Sequence, residues 1–163
     1  MRYMLNINII HVGSFKEKYL RDASAEYEKR ISQYCKFNDT ELKEAPIGEN
    51  PSESEIKAAL AAEEKKILES IKPGSYTISL CVEGTQLSST ELADKINKIA
   101  ISGKSTINFL IGSSYGLSEN IKNISDFKLS FSKMTFPHQL MRIILEEQIY
   151  RAFNINNNGK YHK

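Results

Sequence analysis

Apolar residues recur along this chain with two periods, and the two alternate. Residues 5–12 (LNINIIHV) form a run typical of a strand, ended by Gly13. A helix is predicted next, to about Tyr34, because Tyr19, Leu20, Ala23, Tyr27, Ile31 and Tyr34 recur at three- and four-residue steps. Residues 36–44 carry a weaker strand pattern, and 46–51, with Gly48 and Asn50 between two prolines, read as a loop. Ser52-Glu53-Ser54-Glu55 has capping-box spacing and opens a helix to about Ile71. Pro73-Gly74 is a turn, and 76–82 (YTISLCV) a strand with the composition of a buried one. Ser88-Ser89-Thr90-Glu91 repeats the capping-box spacing before Leu92, Ala93, Ile96, Ile99 and Ala100, and Gly103 stops that helix. Another apolar strand (106–111, TINFLI), a loop (112–116) and a short helix bearing Leu117, Ile121 and Ile124 follow.

The C-terminal third has the strongest pattern. Phe127, Leu129 and Phe131 alternate with Lys128, Ser130 and Ser132, the period of a strand with one apolar face. Residues 132–135 break the alternation. Pro137 then suits the first turn of a helix, where its missing N–H is not needed. Leu140, Met141, Ile143, Ile144, Leu145, Ile149, Tyr150, Ala152, Phe153 and Ile155 cover most of that helix's circumference. Such a helix is expected to be covered on more than one side, one of them by a partner chain. Polar groups lie at its start (Ser132, Lys133, Thr135, His138, Gln139) and after its end (Arg151, then the tail GKYHK at 159–163). The run 154–158 (NINNN) reads as a polar hinge.

Strands alternating with helices predict an α/β fold with a mainly parallel sheet flanked by helices, and residues 1–163 read as one domain. In such sheets ligands lie beyond the carboxyl ends of the strands. Three loops qualify: Glu83-Gly84, 112–116 and 132–135.

Composition narrows this only a little. A hydrophobic fraction of 40% and a charged fraction of 26% are ordinary for a globular protein. A net charge of +2 neither predicts nor excludes nucleic-acid binding, because a local patch suffices. Lys16, Lys18, Arg21, Lys29 and Arg30 on the first helix are either a solvated, salt-bridged face or a basic rim for RNA. The second helix is acidic and should face solvent. Cys35 and Cys81 lack metal or disulfide spacing and read as buried free thiols. His11, His138 and His162 are scattered, so no metal site is expected. No apolar run is long enough for a membrane span and no signal-peptide pattern opens the chain, so a cytoplasmic protein is expected. Met4 is an alternative start. The glycine-rich dinucleotide and phosphate-loop motifs are absent, and Gly112-x-x-x-Gly116 alone indicates a turn as readily as a ligand.

The segment LSFSKMTFPHQLMRIILEEQIYRAF with a terminal YHK, together with the opening strand, VEG near Glu83 and LIG near Ile111, closely resembles the ribosomal large-subunit methyltransferase H family of the SPOUT class. The resemblance implies a sheet whose C-terminal part is tied into a deep trefoil knot. It implies S-adenosylmethionine as cofactor, held by Leu80, Gly112, Phe131, Ser132, Lys133, Met134, Thr135 and Phe136, with Gly84 shaping the adjoining loop. It implies methylation of N3 of a pseudouridine in 23S ribosomal RNA within the assembled ribosome. It also implies a homodimer in which one subunit's tail completes the other's site, with Arg151, Tyr161, His162 and Lys163 near the target base. Arg151 would position phosphate or base, Tyr161 could stack on a base, and His162 would be base or positioner. Phosphate contacts are expected from Lys16, Lys18, Arg21 and Lys163, with poor affinity for bare RNA. For Arg142 an ion pair with Glu146 is at least as good a reading as a functional role, and for His138 a helix-start hydrogen bond. Two departures stand out: Ser113 replaces the family's second glycine, where its Cβ would crowd the cofactor if φ were positive, and Tyr115 would partly fill the pocket mouth. A ribosome-assembly factor that keeps the knot without cofactor, or an enzyme of the same class acting on tRNA, are the alternatives.

Overall fold

The computed structural model describes residues 4–163. Ile7, Ile9, Ile10 and Val12 are all buried, yet they serve two different cores. They lie on β1 (Asn6–Val12), where successive side chains alternate between the faces of a sheet. Four further strands complete that sheet: β2 (Lys36–Leu42), β3 (Tyr76–Gln86), β4 (Thr106–Ile111) and β5 (Phe127–Ser130). Their order is β2-β1-β4-β3-β5 and every pairing is parallel. The expected mainly parallel sheet is therefore present.

The helices are α1 (Lys18–Ile31), α2 (Glu53–Ser70), α3 (Ser89–Ile101), α4 (Glu119–Ile124) and α5 (His138–Asn156). Helix α5 packs against α1 and α3, and this layer shares a core with Ile7, Ile9, Ile78, Ile107 and Phe109. Ile10, Val12 and Leu110 face the other way, toward Ile67 of α2 and Ile121 of α4. Helices on both faces explain why the central strands bury apolar side chains on both sides. Across the second face runs a polar ladder. Asn38 Nδ2 donates to Asn8 Oδ1 at 3.0 Å, and Asn8 Nδ2 donates to Asn108 Oδ1 at 3.0 Å. These residues are paired in the sheet register, so the ladder helps pin that register.

The capping signals are real. Ser88 and Glu91 form a reciprocal capping box, and Ser52 Oγ accepts the Glu55 N–H at 3.2 Å. Other expectations need correction. Tyr19 is 68% exposed, since Leu20, Ser24 and Ile31 make the inner face of α1. Tyr34 lies beyond that helix and stacks on Phe153, with ring centroids 6.0 Å apart. Strand β3 runs past Val82, which is exposed, because Leu129 pairs first with Leu80 and again with Thr85. Residues 81–84 therefore bow out of the ladder. Gly84 sits on this bow, where a Cβ would come within 2.8 Å of the Lys128 backbone. Pro137 occupies the N-cap of α5, just before its first turn. Strand β5 ends at Ser130, leaving Phe131 just past it.

Helix α5 also hides charge that its apolar pattern did not announce. Arg142 and Glu146 are buried, with Arg142 Nε 3.4 Å from Glu146 Oε1, so the expected pair exists. It belongs to a larger cluster. Arg142 also donates to Asp39, lies 3.9 Å from Glu28 Oε1 and covers the Phe15 ring at 3.9 Å. His11 Nε2 is 2.7 Å from Asp39 Oδ1. Ser24 Oγ donates to Glu146 Oε1 at 2.8 Å, and burial pushes the Glu146 carboxyl up to about 8.

Candidate functional site

A cavity of about 620 Å³ opens where β3, β4 and β5 reach their carboxyl ends. All three loops singled out in the sequence contribute to it. Leu80, Gly112 and Phe131 line it, as do Ser132, Met134, Thr135 and Phe136. Lys133 is exposed and outside the lining.

Each wall has a local cause. Gly112 follows β4 with no room for a side chain, because a Cβ there would collide with the Gly116 carbonyl. Gly116 has φ +83, a conformation that favours glycine. Its N–H donates to the Ser113 carbonyl at 2.8 Å, closing the turn. On the opposite wall Ser130 Oγ donates to the Ser132 carbonyl at 3.0 Å, and Met134 N–H donates to Ser132 Oγ at 3.0 Å. These short-range bonds hold the loop after β5 in one shape before any ligand arrives.

Ser113 does not crowd the cavity in the way a left-handed residue would. Among the described residues Asn158 is the single non-glycine with positive φ. Ser113 is buried, and its hydroxyl donates to Glu63 Oε1 at 3.0 Å. Glu63 is itself 4% exposed, so the acidic helix α2 does not face solvent throughout. Tyr115 is 41% exposed and lines the cavity, as expected of its place at the mouth.

Sequence reasoning passed over part of the rim. Cys81 is half-buried and lines the cavity; burial, with Glu83 nearby, raises its thiol pKa. Cys35 alone is the fully buried thiol, pushed up to about 12 by burial. Glu83 and Lys122 meet at 2.6 Å on the rim. The hydrogen bond from Lys122 holds the Glu83 carboxyl below its ordinary range. Burial opposes the Lys122 charge, yet the Glu83 partnership leaves its pKa raised. No spacing in the sequence links residues 39 positions apart. His138 lines the cavity at the first turn of α5, whose N-cap, Pro137, has no side chain able to cap the helix.

The predicted tail residues form a second cluster, outside the cavity lining. Arg151 Nε and Nη2 donate to Glu147 Oε1 at 3.0 and 2.6 Å, and Tyr161 Oη donates to the same oxygen at 3.1 Å. The Arg151 guanidinium lies 4.7 Å from the Tyr161 ring centroid. Arg151 Nη1 is 3.2 Å from His162 Nδ1. An arginine N–H can only donate, so in this contact Nδ1 is the acceptor. The tail reaches this position because the helix end folds back on Asn154, whose side chain accepts the Tyr161 N–H at 3.0 Å. Gly159 permits it, since a Cβ there would strike the Asn154 amide. Lys163 is exposed. Among the described residues no group of three or more His, Cys, Asp or Glu is arranged to hold a metal, and no helix is long and apolar enough to cross a membrane.

A parallel sheet with a ligand-sized cavity at the carboxyl ends of its last three strands is the usual frame of a ligand-binding α/β protein, and the comparisons give the class. The family description "Predicted SPOUT methyltransferase" matches residues 5–162, and the chain belongs to that class. Within it, the chain falls in the ribosomal RNA large subunit methyltransferase H family. The "Ribosomal RNA large subunit methyltransferase H" of Clostridioides difficile (strain 630) is 49% identical over 159 residues, covering 98% of this chain and 100% of the relative. That of Clostridium novyi (strain NT) is 50% identical with the same coverage. A Methanococcus maripaludis protein assigned to the same group is 55% identical, again over 98% of this chain and 100% of the relative. Two solved structures share the fold. A probable methylase family protein from Haemophilus influenzae has a TM-score of 0.54 at 16% identity, covering 98% of this chain and 70% of the other. A probable methyltransferase from Bordetella pertussis has a TM-score of 0.55 at 10% identity, covering 91% and 96%.

Proposed function

We propose that this protein, acting as a single methyltransferase domain, methylates N3 of a pseudouridine in 23S ribosomal RNA of the assembled ribosome, in the cytoplasm, with S-adenosylmethionine as methyl donor. The observation that carries this reading is the cavity at the carboxyl ends of β3, β4 and β5, in a chain 49% identical to the Clostridioides difficile methyltransferase H over 159 residues. Its volume, about 620 Å³, suits a cofactor-sized ligand. The residues fit the donor. Gly112 lets the turn to Gly116 close tightly against the end of the strand, the loop 130–134 is held by its own hydrogen bonds, and Leu80, Phe131 and Phe136 supply apolar surface. Bound there, S-adenosylmethionine supplies a methyl group made electrophilic by its sulfonium.

The rest of the chemistry falls to the protein. The N3–H of the target is a weak acid that passes its proton to water as the methyl group arrives, so a fixed cation near the base lowers the barrier. Arg151 is such a cation, its guanidinium held in one orientation by Glu147. His162 is better suited to positioning than to proton removal, because its Nδ1 is already engaged by Arg151. Tyr161 presents an aromatic face for stacking, and Lys163 an exposed cation for phosphate. The trefoil threading implied by the family resemblance belongs to the same reading.

Tail and cavity are separate clusters of this chain, which supports a homodimer in which each tail serves the partner's cavity. Apolar side chains exposed near the cavity rim, Met134 at 72% and Leu140 at 42%, support a covering subunit there. The test is calorimetric titration with S-adenosylmethionine, followed by methylation of unmodified ribosomes by the full chain and by one truncated before Tyr161. Donor binding by both, with methylation by the full chain alone, is the expected outcome. A folded dimer that binds no donor would leave a ribosome-assembly factor as the better description, and preferential methylation of tRNA would move the substrate.

A further inference from the structure

Glu63 has no part in the chemistry above, yet it is 4% exposed while Glu53, Glu55 and Glu69 on the same helix lie in solvent. A carboxylate is costly to bury, and its oxygens must be satisfied. Glu63 Oε1 accepts the Ser113 hydroxyl at 3.0 Å, and Oε2 accepts the Ala45 N–H at 3.1 Å. The next residue repeats the act. Glu64 Oε1 accepts the Ser118 hydroxyl at 2.6 Å, and Ser118 Oγ in turn caps α4 by accepting the Ile121 N–H at 3.2 Å. Helix α2 therefore grips both ends of the loop 112–118, which forms one wall of the cavity.

We infer that Glu63 is a positioning residue for methyl-donor binding, acting through the Ser113 hydroxyl to hold the wall that begins at Gly112. The inference rests on the assignment of this cavity to S-adenosylmethionine. The turn itself is closed by one backbone bond, Gly116 N–H to the Ser113 carbonyl. Its orientation relative to the sheet is set from outside, by the carboxylate. A charge-assisted bond of this kind is roughly twice as strong as a neutral one, which makes it suited to hold the turn 113–116, whose next residue, Leu117, is the loop's anchor in the core. The Ser113 hydroxyl is the handle by which α2 reaches the loop.

Ser113→Ala removes one hydroxyl and keeps the Cβ, so it tests the link with least risk to folding. Glu63→Ala removes the other partner. Glu63→Gln is the conservative variant, because its oxygen can serve the Ala45 N–H while its amide donates to a rotated Ser113 hydroxyl. Donor affinity by calorimetry should fall about tenfold in Ser113→Ala and in Glu63→Ala, with no further fall in the double variant, and Glu63→Gln should restore most of it. The KM for ribosomes should not move, since the loop faces the donor. Amide exchange at Gly116 should quicken by about tenfold in the first two variants while Ile78 stays protected. Donor affinity within about twofold of wild type in Ser113→Ala would overturn the proposal, as would additive losses in the double variant. If the wild type itself binds no S-adenosylmethionine, the cavity assignment fails first. Gly116 exchange then decides the grip alone, with faster exchange in Ser113→Ala upholding it and unchanged exchange refuting it.

Discussion

The hydroxyl of Tyr161 donates to Glu147 Oε1 at 3.1 Å, the same oxygen that receives Arg151 Nε and Nη2. One carboxylate thus docks the tail and orients the guanidinium. Burial and this bond raise the Tyr161 pKa, so the phenol stays protonated as a donor. Arg151→Ala should reduce ribosome methylation by about a hundredfold, because a fixed positive charge beside a developing anion is lost. Donor affinity should be unchanged, since Arg151 does not line the cavity. Arg151→Lys should recover little, as an ammonium cannot reproduce the fork. Tyr161→Phe keeps the edge contact with Tyr150, whose ring centroid is 4.8 Å away, and should cost less than Arg151→Ala. Methylation rates at saturating donor, read beside calorimetric donor affinity, check all three.

Gly112→Ala should damage the cavity without touching the tail. The new methyl would meet the Gly116 carbonyl and the Leu117 nitrogen, which are backbone atoms and cannot rotate away. Overpacking of this kind costs about 1–3 kcal/mol. Where the loop shifts to relieve it, the same strain appears as donor binding weaker by about tenfold to a hundredfold. Thermal melts and calorimetry on the same preparation separate the two. Unchanged melting and unchanged affinity together would show that the turn tolerates a side chain.

Much of this architecture was legible because its signals are local. Ser52 and Ser88 announced helix starts, short apolar runs announced β1 and β4, and period-two alternation announced β5. The cavity loops were legible for a similar reason, since they follow strand ends in a parallel sheet. What escaped were contacts between distant positions. Glu63 and Ser113 are 50 residues apart, and Arg142 and Asp39 are 103 apart. In one dimension Glu63 is one more charge on an acidic helix and Arg142 one more i,i+4 partner. Their burial follows from how α2 and α5 cross the sheet, which no spacing encodes. Tyr19 misled for the opposite reason, because it is aromatic and in phase but lies on the outer side of α1.

The buried cluster under α5 should make stability depend on pH. Glu146 titrates ordinarily near 4.5 and is pushed up to about 8 in the fold. Between those values the unfolded chain has released a proton that the folded chain retains, so stability falls as pH rises through that window and levels off above it. Glu28, raised by burial and by Asp39, acts in the same direction. The groups around Glu146 are Glu28 and Ser24 from α1, His11 from β1, Asp39 from β2 and Arg142 from its own helix. Glu146→Gln keeps an acceptor for the Ser24 hydroxyl and removes the titration. Its melting temperature should fall less steeply than that of the wild type between about pH 5 and 8. Parallel curves for the two proteins would mean that Glu146 stays ionised in the fold.

A composite site makes a prediction that no single-chain site shares. Thr135 is exposed on the cavity rim, so Thr135→Trp should obstruct the donor site without disturbing the core or the tail. Arg151→Ala disables the tail and leaves the cavity intact. Each homodimer alone should be inactive. If each tail serves the partner's cavity, a dimer of one chain of each kind holds one site with both defects and one with neither. Random reassortment of equal amounts makes about half the dimers mixed, so the mixture should regain about a quarter of wild-type activity. If each tail served its own cavity, every site would carry one defect and mixing would restore nothing. The measurement is methylation of ribosomes after the two variants are unfolded together and refolded, with each variant refolded alone as control. Recovery also requires that tail and cavity meet across the subunit interface, which ties the exposed Met134 and Leu140 side chains to the activity. An added Met134→Lys substitution on both chains should then abolish the recovery by weakening the dimer, while donor titration of the Arg151→Ala chain shows whether its cavity remains intact.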